Sequence, residues 1–228
     1  MNKTESKISS IGIAFLFQFV TSLFSGTILQ PAWIAPGNIR ETMLNIANKP
    51  WLVRANILVD MLTALGIIFL GAMLFVTLRK QSEKIALVAL GFYILEAMLL
   101  AASRSATFSL IGISQGYVTA GQPAYLLTMG NLAIASMDFV GSVLHMLAFC
   151  CGGILFYYLL NKSGIVPRGL SLWGLITVFP CLVGTLCAVF GYQVPFFVYL
   201  PYAPFELVIG VWILVKGIRN ASEVLVAR

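Results

Sequence analysis

Charge is scarce in this chain. Asp, Glu, Lys and Arg make up 10% of its residues, where a soluble domain carries about 25%. No polar stretch is long enough to fold by itself, so residues 1–228 read as a single domain. Histidine occurs once, as His145, and there is no HExxH; a zinc hydrolase takes three protein ligands, commonly histidines. A metal site built from His145, Glu96 and Glu206 is conceivable, but the ligand supply is thin. The four cysteines, Cys150, Cys151, Cys181 and Cys187, lie in apolar runs and show neither CxxC nor metal-ligand spacing. Adjacent cysteines such as Cys150 and Cys151 rarely bridge. These absences argue against a thiol-disulfide enzyme, and the lack of CxxCH against covalent haem. Haem held noncovalently through His145 stays open, and the sequence names no cofactor.

What the chain has in quantity is apolar residues, 60% of the total, in runs of about twenty. Runs of that length are the signature of membrane spans rather than of a buried core. They predict an all-α bundle of six transmembrane helices over about residues 11–29, 52–78, 85–104, 137–160, 169–190 and 197–217. The first run also resembles a cleavable signal peptide. Gln18, Ser22 and Ser25 share one face of it, however, as in a retained helix packed on partners. In the first loop, Asn38 followed by Glu41 is close to a capping box. Ile39, Met43 and Ile46 then repeat at helical spacing, predicting a short amphipathic helix at the membrane surface, with Trp33 and Trp51 at interfacial depth. The uncharged stretch Ser105–Pro123 prolongs the third helix before a turn at Gly121-Gln122-Pro123. Ala124–Leu160 is then too long for one perpendicular span, and its first part projects from the bilayer.

The net charge of +6 raises the possibility of nucleic-acid binding, but the placement of the charges argues for a membrane topology instead. With the N-terminus inside, the inner segments collect Lys3, Lys7, Arg79, Lys80, Lys84, Lys162, Arg168, Lys216, Arg219 and Arg228. The outer side receives Arg40, Lys49, Arg54 and Arg104. This is the positive-inside bias. It predicts both termini in the cytoplasm, the lipid bilayer as the chief partner, and no nucleic acid.

Sequence patterns in the second half of the chain resemble a known family. His145 in an FxxxxxH context, Tyr157-Tyr158-Leu159-Leu160-Asn161-Lys162-Ser163-Gly164, Pro167-Arg168 and Leu172-Trp173-Gly174-Leu175 are similar to the bacterial membrane family called domain of unknown function 4386. So are Glu206-Leu207 with Gly210-Val211-Trp212-Ile213-Leu214-Val215-Lys216-Gly217, and, upstream, Asn45-Ile46, Leu52-Val53-Arg54 and Asp60-Met61-Leu62. The resemblance implies a multi-pass helical bundle in a bacterial inner membrane. It implies no activity, substrate or catalytic residue.

A helix rises about 1.5 Å per residue, so distance from the inner basic residues estimates depth in a core about 30 Å thick. Glu206 comes out at about 15 Å, Glu96 at about 18 Å and His145 at about 25 Å. Asp60 lies at about 28 Å, Arg104 at about 30 Å, and Arg54 and Asp138 at about 36 Å. Matched heights predict structural ion pairs Asp60–Arg104 and Arg54–Asp138 near the outer surface. Asp138 and His145, seven residues apart, should share a helix side. A lone acid at mid-membrane costs on the order of 3 kcal/mol, so Glu96, His145 and Glu206 need a shared polar interior. Stripes of polar and small residues support one: Asn56, Asp60, Thr63, Ala64 and Gly71; Tyr93, Glu96 and Ser103; Asp138, Gly141, Ser142, His145 and Gly152; Gly174, Thr177, Cys181 and Gly184; Tyr199, Tyr202, Glu206, Gly210 and Gly217. Such stripes either let helices pack closely and hydrogen-bond across, or line a cavity open to the outer side.

With Glu96, His145, Glu206, Tyr93 and Tyr202 as lining candidates, the second case is a pocket that binds or passes a small molecule. The first suits an accessory or immunity-type membrane protein acting through partner contacts. An intramembrane enzyme finds less support, and neither oligomeric state nor ligand is readable.

Overall fold

The computed structural model describes residues 3–216, with side chains from Ser10 onward. Lys3, Lys7, Gly217, Arg219 and Arg228, which entered the charge and stripe patterns, lie outside the described side chains. The described residues are helical, with no strand. Helix α1 (Lys3–Phe24) passes through a π-helical turn (Ser25–Leu29) and a 3-10 turn (Gln30–Ala32). Helices α2 (Ile39–Asn48), α3 (Pro50–Leu78) and α4 (Glu83–Thr119) follow. Next, α5 (Ala124–Asp138) runs through a second π-helical segment (Phe139–Leu144) into α6 (His145–Ser163). The chain continues through α7 (Arg168–Val189), a 3-10 turn (Phe196–Val198) and α8 (Ala203–Lys216).

Six helical stretches are long and apolar enough to cross a membrane: Ser10–Ala32, Pro50–Leu78, Glu83–Thr119, Ala124–Ser163, Arg168–Val189 and Phe196–Lys216. Their faces divide as a bundle in lipid requires. Leu58, Leu65, Leu87 and Ile176 point outward, while Tyr93, Phe156, Tyr157 and Phe205 fill the interior with edge-to-face rings. Along the bundle α3 packs on α4, α4 on α6, α6 on α7, and α1 on both α3 and α8; α8 meets α7 only lightly. Because successive spans reverse direction, Arg79, Lys80 and Lys84, then Lys162 and Arg168, and finally Lys216 gather at one end.

Two of the spans overreach any bilayer. At 37 residues α4 is about 55 Å long, and the 40-residue rod of α5 and α6 about 60 Å, against a core of about 30 Å. Their ends away from Lys84 and Lys162 form a hairpin that reverses at Gly121 (φ 77°) and Gln122 (φ 63°). Helix α2 closes onto this hairpin. Asn38 Oδ1 accepts from the Glu41 N–H at 3.1 Å, capping α2, and its apolar face is buried, Met43 against Tyr117 and Leu126. Gly130 makes room: a Cβ there would lie 2.8 Å from Met43 Sδ. The apolar face of α2 is thus covered by protein. Trp33 departs from an interfacial role, being fully buried, whereas Trp51 is exposed.

Small residues set the closest approaches. A Cβ on Gly12 would lie 2.9 Å from the Gly210 carbonyl oxygen, which fixes how tightly α1 and α8 pack. Gly174 of α7 leaves the space that the Phe205 ring occupies. Phe205 is fully buried, so the ring cannot swing aside. Gly174→Val should lower thermal stability in detergent by about 1–3 kcal/mol through overpacking. Gly112→Ala, where a Cβ meets nothing within 4 Å, should leave the melting midpoint within error or raise it slightly.

Candidate functional site

Two polar groups sit inside the bundle, one above the other, and both border a single cavity of about 380 Å³. The upper group is a clamp. Arg104 Nη1 of α4 meets Asp60 Oδ2 of α3 at 2.9 Å. The other Asp60 oxygen accepts from Ser25 Oγ. Asn56 Nδ2, one turn before Asp60, donates to Asp60 Oδ2 at 3.1 Å and to Ser25 Oγ at 2.7 Å. Trp33 Nε1 completes it by donating to Asn56 Oδ1 at 3.0 Å. Arg104 Nε donates to Ser103 Oγ at 3.0 Å. Each of these side chains is buried. The π-helical turn of α1 begins at Ser25, and Ser25 faces the α3 carboxylate; π-bulges of this kind are frequent at functional sites.

The lower group forms the cavity floor. His145, first residue of α6, places Nε2 3.5 Å from Glu96 Oε1 on α4. Glu206 lies in the first turn of α8, after the loop containing Pro201. Glu206 Oε1 accepts from Gln18 Nε2 of α1 and from Tyr202 Oη, each at 2.8 Å. Tyr202 Oη in turn lies 2.6 Å from Tyr157 Oη on α6. A chain of polar groups therefore leads from α1 through α8 to α6 beneath the cavity.

Of the residues singled out by sequence, Glu96, His145, Glu206, Tyr202, Asp60, Arg104 and Asp138 all border this cavity. Tyr93 does not. It is packed below the floor, against Phe156 and in the space left by Gly152. Arg54 and Asp138 form no ion pair; both are exposed, Arg54 on the outside of α3 and Asp138 at the cavity mouth within reach of the Arg104 charge. Height matched them, but height says nothing of direction around a helix. Arg54 precedes Asp60 by six residues, about 120° around α3 from the interior face. Asp138 and His145 nevertheless both border the cavity, with the π-helical segment Phe139–Leu144 between them. Gly141 within that segment faces Arg104: a Cβ there would lie 2.7 Å from Nη2.

Gln18 and Tyr157 are the residues that sequence reasoning undervalued. Gln18 belonged to a recognised polar stripe, and only packing shows that it reaches the floor. Gly112-Ile113-Ser114-Gln115-Gly116 also matches GxSxG. A nucleophile elbow needs that pentapeptide on a strand-to-helix turn, and here it lies within the continuous helix α4, with Ser114 buried and away from the cavity. Among the described residues no three His, Cys, Asp or Glu side chains are placed to hold a metal ion.

Six apolar helices around a polar interior define a multi-pass integral membrane protein. The chain belongs to the family described as Domain of unknown function (DUF4386), whose family model matches residues 10–217. No curated protein and no solved structure matches it.

Removing one member of the clamp leaves the other buried and uncompensated, which costs about 3–5 kcal/mol in soluble proteins. Asp60→Ala should therefore lower the melting midpoint in detergent strongly. In a double-mutant cycle with Arg104→Ala the two losses should fall well short of additive. Arg54→Ala should change neither midpoint nor coupling.

Proposed function

We propose that this protein binds or passes a small molecule through the cavity between α1, α3, α4, α6 and α8. The supporting observation is the convergence of Glu96, His145 and Glu206, from three helices, on one cavity. Three ionisable groups at mid-membrane are costly to retain, and close helix packing alone needs none of them. At about 380 Å³ the cavity falls within the size range of small-molecule sites. Exposed residues of the rim, among them Ser22, Gly26, Asp138 and Ser142, provide an entrance.

The gathering of Arg79, Lys80, Lys84, Lys162, Arg168 and Lys216 at the opposite end supports a bacterial cell-membrane topology with cytoplasmic termini. The cavity mouth then opens to the outer side. A partner-contact role draws on a different feature, the exposed aromatic turn of Phe190, Tyr192, Phe196 and Phe197. An interfacial aromatic belt accounts for that turn equally well.

Native mass spectrometry of the purified protein should detect a retained non-lipid small molecule. Its occupancy should fall in Glu96→Gln, Glu206→Gln and His145→Ala, each still folded by circular dichroism. If these variants only melt earlier, and the wild type carries lipid alone, the polar floor is a packing device. For orientation, Asp138→Cys in a background lacking the four native cysteines should react with a membrane-impermeant maleimide on intact cells.

A further inference from the structure

The sixth span is not α-helical throughout. It runs over Phe196–Lys216, yet α8 has only 14 residues, or about 21 Å. Its neighbour α7 has 22 residues, or about 33 Å. Over the difference, α7 faces the irregular segment 190–202 in place of a helix. Two contacts show that this segment turns back into the bundle along α7. Gly184 leaves the space that Val194, Val198 and Tyr199 occupy: a Cβ there would lie 3.0 Å from Val194 Cγ1 and 3.2 Å from Tyr199 Oη. Nearer the Arg168 end, Trp173 Nε1 donates to the Pro201 carbonyl oxygen at 3.0 Å.

The segment is one layer thick between the cavity and the outside of the bundle. Tyr199 borders the cavity, while its neighbour Leu200 is exposed. Phe196 does both, bordering the cavity and standing exposed. On either side the exposed surface is apolar, with Phe179 and Val183 on α7 and Leu207 and Val211 on α8. Irregular backbone at membrane depth is tolerated where it is buried in protein or lines a cavity, and here a cavity lies behind it. The fastening is slight. Residues 190–202 carry no charge, so no ion pair holds them, and the latch to α7 is the Trp173 hydrogen bond to Pro201. Helix α8 packs along α1 and meets α7 only lightly. At the far end of the segment Gly191 sits at φ 83°, a backbone turn that glycine takes without strain.

We propose that residues 192–201 form a lateral door between the cavity and the bilayer, hinged at Gly191 and at the start of α8. The ligand it admits is an apolar-bodied small molecule dissolved in the membrane, which rests on the cavity being a binding site. Opening parts the Trp173 latch and the packing at Gly184. It leaves the contacts of α1 with α8 and of α6 with α7 in place, together with the Asp60–Arg104 clamp. A strongly hydrated solute gains nothing from a route through lipid; the polar mouth of Ser22, Asp138 and Ser142 serves it instead.

Cys181 of α7, buried and bordering the cavity, is a native reporter of opening. The test uses the full chain in phosphatidylcholine vesicles with Cys150, Cys151 and Cys187 replaced by alanine, and reads labelling at Cys181 by tandem mass spectrometry. N-phenylmaleimide, which enters lipid, should label Cys181 faster than a sulfonated maleimide, which does not. Gly184→Cys with Val194→Cys places two thiols within disulfide reach. Oxidising that pair should pin the door and slow phenylmaleimide by about tenfold or more, with recovery on reduction. Trp173→Phe removes the latch and should speed phenylmaleimide about three- to tenfold, leaving the sulfonated reagent's rate unchanged; general loosening of the bundle would speed both. Phenylmaleimide rates that neither the disulfide nor Trp173→Phe alters overturn the door, as does a Cys181 that neither reagent labels. Equal or faster labelling by the sulfonated reagent overturns the membrane route. Each of these results leaves the cavity with its polar mouth as the entrance; the binding cavity itself falls only if native mass spectrometry also finds no retained ligand.

Discussion

The Asp60–Arg104 ion pair is the interaction on which the upper half of the bundle depends. Two charges inside a helical membrane bundle are tolerated only if they neutralise each other and their remaining hydrogen-bonding capacity is met. Here that condition recruits Ser25 from α1, Asn56 from α3, Ser103 from α4 and, through Asn56, the indole of Trp33. Meeting it fixes where α1, α3 and α4 stand relative to one another near the cavity mouth. It also constrains backbone shape. The helix of α1 takes a π turn where Ser25 reaches the carboxylate, and the rod of α5 and α6 takes another where Gly141 passes Arg104. The cavity lies between these two irregular segments, below the clamp.

How much of this was readable from the chain follows from what depth and periodicity encode. Six spans, the hairpin and the turn at Gly121-Gln122-Pro123 are one-dimensional properties, set by run length and local conformation. The contact of Asp60 with Arg104 could be approached through depth because both residues also lie on interior faces, whereas Glu96 and His145, which meet, were placed at different depths. Arg54 and Asp138 matched in depth and still do not meet, because Arg54 is turned away from the interior. Tyr93 lay on a polar stripe yet packs in the dry core, since a tyrosine ring fills apolar space as well as it lines a pocket. Gln18 was legible only as part of a partner-facing stripe, and Tyr157 and the π segments lay beyond reach. Each depends on how helices distant in sequence are packed, and an α-helical wheel has no place for a turn of different pitch.

The two polar groups of the interior differ in a way that bears on their roles. Asp60 is saturated: both of its oxygens are bonded, to three different side chains, and nothing in that arrangement calls for a further partner. Glu96 has one oxygen near His145 at a long 3.5 Å and the other unbonded. Saturation is what a structural clamp requires, because any shortfall would be lost stability. A site that admits a ligand requires the opposite, since a group already satisfied within the protein gains nothing from an incoming donor. Saturation therefore separates the clamp from the floor more sharply than charge or burial does, because both groups share those two properties.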